Sequence, residues 1–118
     1  MYSWEQHLAG DNEVTNEVVM VRVYLTEGDH TSKVQLAKKL LEDLHHSKKV
    51  SGATMFRGIA GFGSHYAIHE ASILHPEAAL PLVIEFFDTE SKVQTALEYI
   101  RAFEGIRIVT WPVTVSET

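Results

Sequence analysis

The segment 52–63 contains residue types suited to binding a small anion. Thr54 and Arg57 supply a hydroxyl and a guanidinium on a predicted strand, and Gly61-Phe62-Gly63 follows shortly after them. Glycine is costly in a strand unless the backbone needs a positive φ or a close approach. Exposed backbone amides beside a hydroxyl and a guanidinium would suit a phosphate or a carboxylate. A plain turn also explains the glycines, and a dinucleotide-binding fingerprint does not fit, because its third glycine is absent and no helix follows directly.

Histidines in and after this loop are the candidate metal ligands. His65 and His69 are four residues apart and Glu70 follows. On a strand these two rings would share a face but lie roughly 13 Å apart, too far for one ion, so surface histidines are the simpler interpretation. Two alternatives stay open: a metal-binding trimer that takes His65, His69 or His75 from different subunits, and a small enzyme that uses a histidine with Glu70. Because neither a Ser-His-Asp arrangement nor a carboxylate pair of defined spacing can be identified, we expect a protein that is not an enzyme.

Arg22 and Glu85 lie in the middle of two predicted strands that should be neighbours. They predict an ion pair across the sheet or at an oligomer axis, and a polar functional site is the alternative. If such a pair were fully buried, removing one member would cost roughly 3–5 kcal/mol.

The pattern of apolar residues predicts a single folded domain over 18–118, preceded by an N-terminal arm over 1–17 that we expect to be loose or disordered. The predicted strands are 18–26, 52–59, 82–87 and 106–115; the helices are expected to begin at Ser32 and at Thr89 or Ser91, and Gly105 to cap the second. The order β-α-β-(arm)-β-α-β predicts an α+β, ferredoxin-like βαββαβ fold, in which an antiparallel four-stranded sheet has two helices on one face.

One face of that sheet is left without a covering layer. Met20, Tyr24, Val83 and Phe87 are expected on it from the period of two along their strands. An apolar face in water favours association, so the sequence predicts an oligomer that buries this surface.

Composition narrows the class of protein. The chain has 118 residues, a formal charge of −6 and no cysteine. Its negative charge argues against nucleic acid as a partner. Apolar runs stay short of the roughly 18 residues of a membrane span, which argues against direct membrane insertion. The absence of cysteine is compatible with the cytoplasm, which is the predicted location.

The segment 52–63 also carries a family resemblance. It reads Gly-Ala-Thr-Met-Phe-Arg-Gly-Ile-Ala-Gly-Phe-Gly and resembles the second strand of PII-like signalling proteins. It is most similar to the branch named after domain of unknown function one hundred and ninety, whose pattern is Gly-Ala-Thr-x-x-Arg-Gly-Ile-x-Gly-Phe-Gly. Further matches are Ile68-His69, Ala71, Ile73-Leu74, Leu80-Pro81, Val83-Ile84-Glu85 and Asp88. The resemblance spans about residues 19 to 115.

This resemblance implies a regulatory homotrimer whose sheets face inward. We expect no cofactor. It implies a small-molecule effector, an adenine nucleotide by analogy, bound in clefts between subunits. The residues that match the PII cleft are Thr54, Arg57, Gly58, Gly61, Phe62 and Gly63. It also implies that the loop 64–81 contacts an unknown target protein. Because the tail 113–118 has none of the arginines that contact phosphates in PII proteins, we do not expect tight ATP binding. A less charged ligand such as AMP or ADP, or another small anion, is the alternative.

Overall fold

The computed structural model describes residues 14–26, 28–47, 50–61, 69–70 and 81–117. In chain order the elements are β1 (Val14–Leu25), α1 (His30–His46), β2 (Thr54–Arg57), β3 (Ala60–Gly61), β4 (His69–Glu70), β5 (Leu82–Asp88), α2 (Glu90–Ile100) and β6 (Ile106–Glu117). Apart from the small pair β3–β4, they follow the predicted β-α-β-β-α-β order.

The main sheet has the strand order β2-β5-β1-β6, and every neighbouring pair is antiparallel. At one end of the sheet Leu25 lies opposite both Leu82 and Ile106, and Arg57 lies opposite Leu82. This topology confirms the ferredoxin-like fold. Because β6 is an edge strand, Pro112 can lie within it without interrupting a ladder on its outer side.

The hydrophobic core lies between one face of this sheet and the two helices. On β1 the alternate residues Val21, Val23 and Leu25 are at most 1% exposed, as the period of two along a strand predicts. The helices and β5 complete the core with Ala37, Leu40, Leu44, Leu82, Ile84, Phe86, Val93, Ala96, Leu97 and Ile100. The buried valines of β1 therefore face the helix layer, together with the buried residues of the neighbouring inner strand β5.

Side-chain caps set the start of each helix. Asp29 is the N-cap of α1, and its carboxylate accepts a hydrogen bond of 2.8 Å from the amide of Ser32. The prediction that Ser32 caps this helix is wrong, because Asp29 offers an equally good acceptor one turn earlier. Thr89 caps α2 by accepting from the amide of Lys92, which agrees with one of the two predicted caps.

Further boundaries also differ from the predicted ones. β1 begins at Val14 instead of residue 18, because its pairing with β6 continues to Glu117. β2 is limited to Thr54–Arg57. Gly105 is not the cap of α2, which ends at Ile100; it has φ 74° in the following turn, where its carbonyl accepts from the amide of Thr26 at 2.9 Å. Residues 1–13 lie outside the described part of the chain.

A buried carboxylate ties the start of β2 to the end of β5. Asp88 is 6% exposed. One of its oxygens accepts from the amide and the hydroxyl of Ser51, at 2.8 and 3.0 Å, and the other accepts from the amide of Thr89 at 2.8 Å. Asp88 thereby holds the segment that leads into β2 against the start of α2.

We expect Asp88→Asn to lower the free energy of unfolding by about 1.5–3 kcal/mol, because an amide nitrogen would replace one accepting oxygen and leave a donor facing a donor. Urea denaturation measures the effect. The control is Glu98→Gln, which removes the same charge from an exposed position of α2. Equal stability of the two variants would show that the Ser51 and Thr89 contacts are not important for folding.

Candidate functional site

The sheet face that the helices do not cover carries a mixed polar and apolar surface, here called the outer face. Opposed residues of an antiparallel pair share a face, so the strand registers identify its members. They are Met20, Arg22, Tyr24, Thr54, Phe56, Val83, Glu85, Phe87, Arg107, Val109 and Trp111. Met20, Tyr24, Val83 and Phe87 are thus placed as predicted.

An ion pair lies near the centre of the outer face. Arg22 donates to Oε2 of Glu85 from Nε at 2.8 Å and from Nη2 at 2.6 Å. The guanidinium carbon lies 5.2 Å from the centroid of a Trp111 ring, within the range of a cation–π contact. A hydrogen bond with Tyr24, followed by that with Glu85, raises the pKa of Arg22 above its ordinary value. The predicted pairing of Arg22 with Glu85 is therefore present. The side chains of Arg22 and Glu85 are 39% and 22% exposed, so the pair is only partly buried.

Large apolar side chains surround this pair. Phe56 is 49% exposed, Phe87 43% and Val109 42%. They come from three different strands, so the exposed apolar surface extends across the whole sheet. Exposed apolar surfaces of this breadth commonly mark sites of protein association.

A close backbone contact joins the two ends of the segment between β2 and β5. The amide of Gly58 donates to the carbonyl of Pro81 at 2.9 Å. A Cβ placed on Gly58 would lie 2.6 Å from Cγ and 3.1 Å from Cδ of Pro81. Packing against Pro81 thus requires a glycine at position 58. This contact explains the glycine without a ligand, although Gly58 is one of the predicted ligand residues.

Thr54 and Arg57 do not face the same way. Thr54 lies opposite Glu85 and belongs to the outer face, whereas Arg57 lies opposite Leu82 and belongs to the helix side. Both residues are exposed, since β2 is an edge strand. The structure therefore places these two predicted ligand residues on opposite sides of one short strand.

The remaining predicted residues are only partly described. Gly61 pairs with His69 in the β3–β4 ladder. Phe62 and Gly63 lie outside the described residues, and so do His65 and His75 of the metal alternative. Among the residues that the structure describes, no group of three or more metal-ligating side chains comes together.

Sequence reasoning missed two residues at this end of the sheet. The sequence carries no local signal for the role of Pro81, because its contact with Gly58 follows from tertiary pairing. Lys33, in the first turn of α1, is only 6% exposed. Its spacing from Ala37, Leu40 and Leu44 was the available signal, because these positions share one helix face.

This architecture is found in solved PII-like proteins. The apo form of CPII from Thiomonas intermedia K12, described as a nitrogen regulatory PII-like protein, has a TM-score of 0.58 at 14% identity, over 90% of this chain and 99% of that chain. CPII bound to ADP, AMP and bicarbonate has a TM-score of 0.53 at 22% identity, over 87% and 90% of the two chains. The chain therefore has the PII-like form of the ferredoxin-like fold.

The family is more specific than the fold. Residues 18–115 match the family DUF190, described as uncharacterized ACR, COG1993. A UPF0166 protein of Aquifex aeolicus is 32% identical over 82 residues, which cover 70% of this chain and 77% of that protein. This chain belongs to the DUF190 family, which confirms the resemblance carried by residues 52–63. In the described residues, no helix is both long and apolar enough to cross a membrane.

We expect Gly58→Ala to destabilise the protein by about 1–3 kcal/mol, because the new methyl group would overlap the ring of Pro81. In a Pro81→Ala background the ring is absent and the next contact, the carbonyl oxygen, lies at an ordinary 3.5 Å. The same glycine replacement should then cost less, with a coupling of at least about 0.5 kcal/mol in a double-mutant cycle.

The control for this cycle is Gly52→Ala. A Cβ at Gly52 would have no atom within 4 Å, so its effect should stay within about 0.5 kcal/mol. Additive effects of the Gly58 and Pro81 replacements would mean that their contact does not explain the glycine.

Proposed function

We propose that this protein is a homotrimeric, non-enzymatic, PII-like regulatory protein that binds AMP or ADP in clefts between subunits. The ligand would alter the loop 64–81, through which the protein contacts a target. The observation that carries the proposal is an exposed guanidinium at the end of β2, on a fold shared with CPII, a protein solved with ADP, AMP and bicarbonate. The predicted cytoplasmic location stays a prediction.

Arg57 has the properties of an anion-binding residue. It is exposed, it comes directly before the Gly58–Pro81 contact, and no ion pair joins it to another of the described residues. A planar guanidinium can bind phosphate through two parallel hydrogen bonds. A ligand held there would lie beside the two ends of the segment between β2 and β5, where a change in backbone conformation could be passed to the loop.

The outer face supports the trimeric part of the proposal. It combines exposed Phe56, Phe87 and Val109 with an ion pair in which the charges of Arg22 and Glu85 cancel. Covering this face with other copies of the chain would remove apolar surface from water without leaving the Arg22 charge unpaired. Clefts between subunits then arise at the sheet edges, and β2 is one of these edges.

The ligand prediction is tested by thermal denaturation with AMP, ADP, ATP, bicarbonate, copper or zinc. AMP or ADP at about 100 times its Kd should stabilise the native protein by roughly 2.7 kcal/mol, and Arg57→Ala should remove this effect while the trimer persists. Lys92→Ala, an exposed cation on α2, should respond like the wild type. A normal response of Arg57→Ala would exclude Arg57 from the site, and a response to metal alone would favour the histidine alternative.

The assembly prediction is tested by sedimentation. Val109→Lys should dissociate the trimer, because it introduces a charge into the surface that association would bury. Gln94→Lys is the control, since Gln94 is exposed on α2, in the helix layer on the other side of the sheet. A monomeric wild type, or a trimer that survives Val109→Lys, would show that the outer face is not the subunit interface.

A further inference from the structure

Lys33 is a buried cation without an ion-pair partner among the described residues. It is 6% exposed and lies on the same face of α1 as the core residues Ala37, Leu40 and Leu44. Among the residues that the structure describes, no hydrogen bond or ion pair joins its ammonium group to another side chain. Lysine is almost never fully buried unless it is paired, because removing its charge from water is costly. The burial therefore calls for an anion, and none of the described side chains provides it.

The position of Lys33 on α1 shows where that anion would lie. Side chains on a helix tilt toward its N-terminus, so the Lys33 ammonium extends toward the start of α1. α1 starts soon after β1 ends at Leu25, and Leu25 shares a row of the sheet with Leu82 and Arg57. The start of α1 thus lies at the end of the sheet where β2 stops.

Arg57 lies at that same end and on the helix side of the sheet, as its pairing opposite the core residue Leu82 indicates. The seventeen-residue helix α1 adds the partial positive charge of its N-terminus and has no acidic residue in its first turn. The carboxylate of Asp29, which caps this N-terminus by accepting from the amide of Ser32, offsets part of that charge, so the two side-chain cations are the main attraction for an anion. A lysine and an arginine at the same end and on the same side of the sheet could bind a compact anion between them, and phosphate fits their combined charge and donors.

We propose that Lys33 is a buried anion-binding residue, which together with Arg57 binds a phosphate group beside the Gly58–Pro81 contact. The inference rests on the proposed function, since it assigns a second cation to the same ligand. Two kinds of ligand could supply this phosphate group, a nucleotide or a free inorganic phosphate compound.

Calorimetric titration with ADP and, separately, with pyrophosphate at constant ionic strength tests this assignment. Lys33→Met keeps the length and the apolar stem of the side chain but removes the charge. It should weaken binding of both probes at least roughly tenfold, as expected for the loss of one charge-assisted hydrogen bond. Lys38→Met, on an exposed position of the same helix, should bind within about twofold of the wild type, as expected for a surface charge away from the site.

The two proposals fail in different ways. Wild-type affinity in Lys33→Met would overturn the role of Lys33 and leave the function of Arg57 intact. If pyrophosphate binds and ADP does not, the result would support the anion-binding role of Lys33 and contradict a nucleotide as the ligand. Binding of neither probe by the wild type would overturn both. If Lys33→Met does not fold, Lys33→Arg tests the proposal instead. Because arginine keeps the positive charge, this variant should still bind both probes. Loss of binding in a folded Lys33→Arg variant would contradict a simple charge contact.

Discussion

The structure depends on the fact that both helices lie on one side of the sheet. The crossovers β1-α1-β2 and β5-α2-β6 each join parallel strands of the same sheet, and such crossovers are right-handed. Because the two units are interleaved and antiparallel, the same handedness places α1 and α2 on a common face. The central strand β1 consequently has Val21 and Val23 in the core and Arg22 on the outer face. Alternate residues of this one strand therefore contribute to the core and to the outer face.

The ion pair of the outer face is understandable from this arrangement. A charged side chain in the middle of a central strand can reach only its neighbours on the same sheet face. Glu85 on the adjacent strand lies directly opposite Arg22 and is such a neighbour. The hydrogen bonds to Glu85 and the contact with the Trp111 ring hold the guanidinium in place. A surface that is already neutral can be covered by another copy at lower cost than one with a single charge, although a paired charge still stabilises less than an apolar residue would.

Much of the fold could be predicted from the sequence, because alternation and helical spacing are local. The faces of β1 and β5 were correctly identified in this way. The start of α1 was not, since Asp29 and Ser32 are both good caps and only the folded backbone selects one. At the candidate site, the strand period could have separated Thr54 from Arg57, whereas the reason for Gly58 lies in Pro81, a residue brought close by tertiary pairing.

β2 links the two surfaces that the proposals concern. It is only four residues long and is hydrogen-bonded to β5 alone within the main sheet. Its first residue, Thr54, extends the row of Glu85 and Arg22 on the outer face, and its last, Arg57, lies at the proposed anion site. An edge strand bonded on one side is restrained less than a central strand. If the outer face is the subunit interface and Arg57 binds the ligand, as proposed, a ligand that prefers one position of β2 would also shift the subunit contacts. Assembly would then change ligand affinity by the same free energy.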